Sequence, residues 1–500
     1  MIDTTLLLIV GYFLAILVAT HLFSKQISSL KDFFLAGRRL GSLPAALALT
    51  ASWFGAASTM GSINAFHNEG LSGVWHLILP SLLSFLIITF VMAKAVAKQN
   101  FLSQPEAVEA HYGKAGRFLL SIVILLATVA FIGSQLIAAA MVYKMVFGLS
   151  TPVATVISIA AVLSYATWGG YYAVVITDIA QILFVAIGFI CLLFFTTHQA
   201  IPNPNAWHQF LSQHPPEFWH WAHNWQQNIF LVITFVLGWS IAPEMWQRMC
   251  STRSPELAFK AGWQASLIML SLFAIVASIG LLSTQLIHGT HDSVLIALAL
   301  SIPSPIFKAL VLLGFISAVT STMDSAINIG SLTLTRDLYQ GFISPNASEK
   351  ASIRVGRIST VLMVIPAMAV ALYFQDIIKT LWISADIYAC CMFWPVIGIL
   401  FLKTPGRLSG LFGMGFGAII VLLNACFQGH ILPTPSIWPV WPSSTLLGVA
   451  CSGLGYALGY YLSRKDFQIF PPTLNPFPAE GGGDNRAYQD HISNKNIGEI

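Results

Sequence analysis

Apolar runs long enough to cross a membrane recur along this chain, separated by short polar loops. A helix needs about 20 mostly apolar residues to span the hydrocarbon core of a bilayer. Thirteen segments meet that requirement, near 4–23, 42–66, 74–94, 117–146, 151–168, 172–197, 227–245, 262–287, 306–335, 355–374, 378–402, 408–428 and 444–463. An odd count puts the two termini on opposite sides. The basic residues test the count independently, because cytoplasmic loops collect Lys and Arg. With the N-terminus outside, 21 of the 24 Lys and Arg, Arg248 and Arg253 among them, fall in inner loops or the C-terminal tail. Only Lys144, Lys308 and Lys379 fall on the outer side. The first run, Thr4 to Leu22, exceeds a signal-peptide core and follows Asp3 rather than a basic cluster, so it reads as an uncleaved span. The pattern predicts an all-α polytopic protein of an inner or plasma membrane, N-terminus outside and C-terminus cytoplasmic.

Composition agrees and narrows the function classes. Only 9% of residues are charged and the mean hydropathy is +0.75, too little polarity to wet the surface of a soluble 500-residue protein. The net charge of +4 is spread by topology rather than gathered in a patch, which argues against a nucleic-acid partner. The six cysteines show no metal-ligand spacing and sit mostly in apolar runs, where thiols act as small hydrophobes. The outer loop at 198–226 holds Trp207, Trp219, Trp221 and Trp225, an interfacial aromatic belt. Its His208, His214, His220 and His223 do not have the spacing of a metal site. Beyond Phe470 the chain turns Pro-, Gly- and Asn-rich, the composition of a disordered cytoplasmic tail over 467–500. No nucleophile–base pair, nucleotide loop or soluble domain is visible, so the expectation is a transporter and not an enzyme. No obligate protein partner is evident; the bilayer and a small solute are the expected partners.

Polar residues inside spans are costly and mark function. The second span, LALTASWFGAASTMGSINAF, is rich in Gly, Ala, Ser and Thr. Such residues suit tight helix packing. They equally suit a helix that unwinds near Ser52 to Gly55 and frees carbonyls for a cation. In the ninth span Ala318, Ser321, Thr322 and Ser325 follow i, i+3, i+4, i+7 and form one stripe, with Asp324 beside it. Hydroxyls of that kind can simply bond the preceding turn of their own helix, but a carboxylate at that depth needs a cation, a proton or a buried partner. The sixth span buries Asp178, with Thr177 and Gln181 near it, and the eleventh holds Asp386. Gly238 and Pro243 interrupt the seventh span. Interrupted spans two and seven open two successive sets of five, the pattern of an inverted-repeat transporter with a midplane site.

At these motifs the chain resembles the sodium:solute symporter family. The loop DFFLAGRRLG (Asp32 to Gly41), the stretch WGGYYAVVITDIAQ (Trp168 to Gln181) and AVTSTMDSAINIGSLTLTRDLYQ (Ala318 to Gln340) carry the resemblance, which covers essentially the whole membrane part. Trp53 and LWISADIYACCMFWP look most similar to the high-affinity choline transporters and their bacterial relatives. The resemblance implies a LeuT-type 5+5 inverted-repeat core over 42–402, with repeats at 42–197 and 227–402. Around it would lie a peripheral first span and loop (1–41) and two peripheral spans (403–466). It further implies Na+ as the coupling ion, held by the carbonyls of Ala51, Phe54 and Ala318 and the hydroxyls of Ser321 and Thr322. Asp178, Asp324 and Ser325 would serve a second cation.

For the solute, the resemblance points to Trp53, Ser58, Gln135 and Trp239. Ile132 and Ala242 fall near two positions that are aromatic in the choline branch, where Trp239 and Tyr165 are candidate substitutes. No Arg or Lys falls in the middle of the core, which argues against a strongly anionic solute. A choline-like amine, an amino acid or a monocarboxylate fits. The expected activity is inward sodium-coupled symport by alternating access; proton coupling through Asp178 and Asp324, or a transporter-like solute sensor, are the alternatives.

Overall fold

A computed structural model of the protein describes residues 4–24, 29–99, 101–289, 291–402, 405–428, 434–435 and 438–469. The predicted tail from 470 onward lies outside them. Among the described residues the chain is almost wholly helical, with one isolated strand-like pairing between Leu40 and Thr252. Ten helices are long and apolar enough to cross a membrane, and eleven when the bent pair Trp225–Trp239 and Pro243–Cys250 counts as one span. This is fewer than the thirteen apolar runs because several of those runs are not single long helices. Ser42–Trp53 stops after 12 residues, and the apolar helix at Thr151–Thr167 is too short to qualify. A sharp turn at Gly170 (φ 54°, ψ −170°) separates that short helix from the next span. A side chain there would be strained, and its Cβ would lie 2.8 Å from the Phe33 carbonyl oxygen, so the turn needs glycine.

The most enclosed helices are Gln104–Phe147 and Pro305–Ile343, each with 78% of its apolar window buried. The first helix, with 28% of its window buried, lies at the outside. It is nonetheless tied in by polar contacts. The Tyr12 hydroxyl accepts from Gln181 Nε2 at 3.1 Å and from Ser317 Oγ at 3.0 Å, the interhelical hydrogen bonding that replaces the hydrophobic effect in lipid.

Two groups of loops gather at the two ends of the bundle. At one end Arg38 donates to the Gln99 and Phe101 carbonyls, Arg253 donates to the Arg39 carbonyl, Glu349 accepts from Leu30 N–H, and Arg336 pairs with Glu106. At the other, Asn64 reaches Asp292 and Val294, Trp75 stacks on Trp221, and His67 Nδ1 lies 2.7 Å from Ser283 Oγ. The basic-rich loops expected on one side thus meet at one end.

Candidate functional site

The small-residue second span is broken where its sequence is least able to resist. The helix Ser42–Trp53 ends at Phe54 (φ −88°, ψ 63°), and a π-helical turn resumes at Ala57. Gly55 sits in the gap. A Cβ there would lie 2.6 Å from Gln135 Oε1 and 2.7 Å from Thr322 Oγ1, so only glycine lets the two helices approach this closely. Freed backbone groups find partners across the break: Gln135 Oε1 accepts from Ala56 N–H at 2.9 Å, and Ser58 Oγ donates to the Trp53 carbonyl at 2.8 Å.

Opposite the gap stands the hydroxyl stripe. Ser321 Oγ and Thr322 Oγ1 each lie 3.1 Å from the Ala51 carbonyl. They also lie 3.1 and 3.0 Å from the Ala318 carbonyl of their own helix. A hydroxyl has one proton to donate. Two protons therefore serve four short oxygen–oxygen approaches, leaving an excess of lone pairs at a fully buried point. Such a set of neutral oxygens is complementary to a small hard cation. Four of the five oxygens expected around Na+ converge here, and the Phe54 carbonyl belongs to the break itself. Back-bonding to the helix and convergence on the gap, which the sequence presented as alternatives, occur together.

Next to this cage lies a cavity of about 20 Å³, lined among others by Trp53, Ser58, Gln135, Trp239, Gly55 and Thr322. All four residues expected to contact solute are in that lining. Trp239 stands 5.4 Å from Trp53, 4.8 Å from Phe131 and 5.7 Å from Phe235, ring centre to ring centre. None of the lining side chains carries a formal charge. The indole N–H groups of Trp53 and Trp239 are buried and have no hydrogen-bond partner among the described residues. At this volume the cavity holds little more than a water molecule, so a solute enters only as the aromatic side chains move apart. A wider vestibule of about 390 Å³, lined by Met60, Asn64, Lys144, Asp292 and Asp376 among others, opens beyond Gly61 toward the loop end lacking the basic cluster.

Three expectations about the cavity are corrected. Ile132 and Ala242 do not line it; on the helix of Ile132 it is Phe131, four residues before Gln135 and so on the same face, that does. Tyr165 does not substitute for a missing aromatic: it donates to Asp324 Oδ2 at 3.0 Å, on the far side of the hydroxyl stripe. The third concerns charge. Arg248, assigned from sequence to an inner loop, is fully buried in the core.

Arg248 organises a second polar cluster. Its guanidinium donates to Ser325 Oγ and, at 3.0 Å, to Gln247 Oε1; it faces Asp178 Oδ2 at 3.9 Å and lies 5.3 Å above the Tyr171 ring. Ser325 is also 3.3 Å from Ser52 Oγ and donates weakly to Asp324 at 3.5 Å. Asp178, Asp324 and Ser325 are thus brought together, and Arg248 supplies a positive charge among them. Glu244, one turn before Arg248, is also fully buried, and neither of its carboxylate oxygens has a side-chain or backbone hydrogen-bond partner among the described residues. A signal for these residues exists in the sequence: Glu244, Gln247, Arg248 and Ser251 repeat the i, i+3, i+4, i+7 spacing of the ninth-span stripe.

The remaining candidates are structural. Asp386 accepts from Trp441 Nε1 at 3.0 Å and Thr445 Oγ1 at 2.8 Å, so its carboxylate pins a neighbouring helix. Thr177 donates to its own helix and Gln181 turns to Tyr12. In the loop at 198–226, His214 stacks on Phe218 at 4.2 Å; among the described residues no three His, Cys, Asp or Glu side chains gather closely enough to hold a metal.

Comparison with known proteins agrees with this geometry. Over 473 residues the chain is 26% identical to a sodium/proline symporter of Haemophilus influenzae, covering 87% of this chain and 90% of that one. It is 22% identical over 418 residues to the high-affinity choline transporter 1 of Caenorhabditis elegans, covering 79% and 71%. In fold it is similar to a Na+-coupled sialic acid symporter solved in a substrate-bound outward-open state, with a TM-score of 0.75 at 15% identity over 94% of this chain and 98% of that one. Residues 33–417 match the sodium:solute symporter family. The protein is therefore a member of the sodium:solute symporter family, an integral membrane transporter whose coupling ion is Na+.

Proposed function

We propose that this protein carries a compact amine-bearing solute, of the choline or proline type, into the cell together with Na+. The observation that carries the reading is the adjacency of the oxygen cage and the aromatic cavity. They share Gly55 and Thr322, so an ion in the cage and a solute in the cavity bear on the same break. Na+ is held by the Ala51, Phe54 and Ala318 carbonyls with Ser321 and Thr322, and draws the two helices together. That fixes Trp53 against Trp239 in the geometry a solute needs. Quaternary and secondary ammonium groups, which choline and proline carry, suit uncharged aromatic walls through cation–π attraction. The names of the relatives point to those same solutes. A carboxylate on the solute would meet the indole N–H groups of Trp53 and Trp239 and the Gln135 amide.

Transport follows by alternating access within thirteen spans, of which two to eleven form a 5+5 inverted-repeat core. The interruptions at Phe54–Gly55 and at 240–242 support that arrangement. The gathering of basic loops at one end supports a cytoplasmic location for that end, with the N-terminus outside. A membrane potential supplies about 2.3 kcal/mol per charge per 100 mV, and a tenfold sodium gradient about 1.4 kcal/mol. One ion then sustains a solute gradient of several hundredfold.

A second reading, proton coupling, draws on one feature: Asp178, Asp324 and Glu244 are three fully buried carboxyl groups, and Asp178 faces the Arg248 guanidinium. Uptake of labelled choline and of labelled proline into proteoliposomes, with an imposed sodium gradient or an imposed proton gradient, separates the readings. Sodium-driven uptake of either solute supports the proposal. Uptake driven by protons alone, or by neither gradient, overturns it.

A further inference from the structure

The loop end that gathers the basic residues carries a pocket of about 390 Å³, remote from the oxygen cage. One wall is the 29–41 segment and the other is the helix surface from Tyr172 to Ile179. Arg39 and Arg253 both line the rim and both are exposed. Arg253 Nε donates to the Arg39 carbonyl at 2.7 Å, which ties the Arg253 side chain to the backbone of the second arginine. Two like charges lining one pocket favour an anion between them. Asp32 also lines the pocket, and its Oδ2 accepts from Ser29 Oγ at 2.8 Å; against two arginines the rim remains positive. The floor has a different chemistry. Val175, Ile176, Ile179 and Pro44 form an apolar surface on a membrane-spanning part of the protein, which a free ion would not need.

We propose that this pocket binds an anionic phospholipid. Its phosphate lies on the forked guanidinium groups of Arg39 and Arg253, which match phosphate oxygens in pairs. Its acyl chains run along Ile176 and Ile179. Basic pockets between helices at the cytoplasmic interface are suited to such headgroups. The position gives the lipid a consequence: it bridges the 29–41 loop and the segment after Cys250, which follows the broken helix carrying Arg248, and so braces both at once.

The test uses the purified full-length protein in a neutral detergent. Its thermal unfolding is followed while phosphatidylglycerol, phosphatidylcholine with the same acyl chains, or inorganic phosphate is added. Phosphatidylglycerol is expected to stabilise the protein where phosphatidylcholine does not. In Arg39→Gln/Arg253→Gln the concentration needed rises about 25-fold, about fivefold for each arginine, while Arg39→Lys/Arg253→Lys keeps part of the effect. Equal dependence on phosphatidylglycerol in the wild type and the Gln pair overturns the proposal, as does equal stabilisation by phosphatidylcholine. Full stabilisation by inorganic phosphate alone would show a soluble-anion site and overturn the lipid assignment. If the Gln pair does not fold, native mass spectrometry of the wild type decides: no preference for phosphatidylglycerol over phosphatidylcholine contradicts the inference.

Discussion

Two buried polar clusters lie within a turn of each other on the Pro305–Leu332 helix, yet they handle charge in opposite ways. The cage at Ala51, Ala318, Ser321 and Thr322 contains only neutral oxygens, with more acceptors than protons. The cluster at Asp178, Asp324 and Ser325 contains two carboxyl groups and holds a guanidinium of its own. A neutral cage favours an ion that can leave again, since the oxygens stripped of it carry no net charge. A charged cluster in a medium of low polarity cannot lose its cation without a large penalty. The first arrangement suits a coupling ion that binds and departs in every cycle; the second suits a permanent brace.

The contrast can be broken experimentally, and the largest effect belongs to the charged side. Arg248→Met leaves Asp178 buried without its cation, a change that costs about 3–5 kcal/mol when one partner of a buried pair is removed. The expected result is a large fall in thermal stability, partly recovered by adding Asp178→Asn; no recovery would show that the two residues are not coupled. Next comes the neutral side. Ser321→Ala/Thr322→Ala removes two contacts to an ion, each worth at least about 1.5 kcal/mol, so half-maximal uptake should need about 100-fold more sodium or beyond. Stability in sodium-free buffer should fall less than in Arg248→Met, since the Ala51 carbonyl loses neutral donors and not a counter-charge.

A smaller effect separates ion from solute. Trp239→Leu removes a ring that faces Trp53 and Phe131, and cation–π loss of about 2 kcal/mol weakens solute binding roughly 30-fold. Sodium binding measured without solute should stay as in the wild type. The smallest effect is expected at Asp386, a half-buried acid satisfied by Trp441 and Thr445. Asp386→Asn should cost about 1 kcal/mol of stability and leave the sodium dependence of uptake untouched.

Much of the neutral cage was legible in the sequence because its chemistry is written in residue types. A run of Gly, Ala and Ser in a span announces close backbone approach, and hydroxyls at i, i+3, i+4, i+7 announce a face. The charged cluster was half legible. Asp178 and Asp324 stand out in apolar runs, but Arg248 sits near a span end, where a basic residue normally marks a loop. Only the repeated spacing from Glu244 to Ser251 distinguishes it. In the cavity, Phe131 is one apolar residue among many, and a single position of helical rotation decides whether it or Ile132 faces inward. The span count was hardest, because a break such as Gly170 or Phe54–Gly55 divides an apolar run without changing its hydropathy.

The most direct measurement is a sodium titration of the purified protein without solute, read as the shift in thermal midpoint, with potassium as the control. The oxygen cage predicts stabilisation by sodium and not by potassium, and its loss in Ser321→Ala/Thr322→Ala. An undiminished sodium response in that variant would place the ion elsewhere and contradict the account.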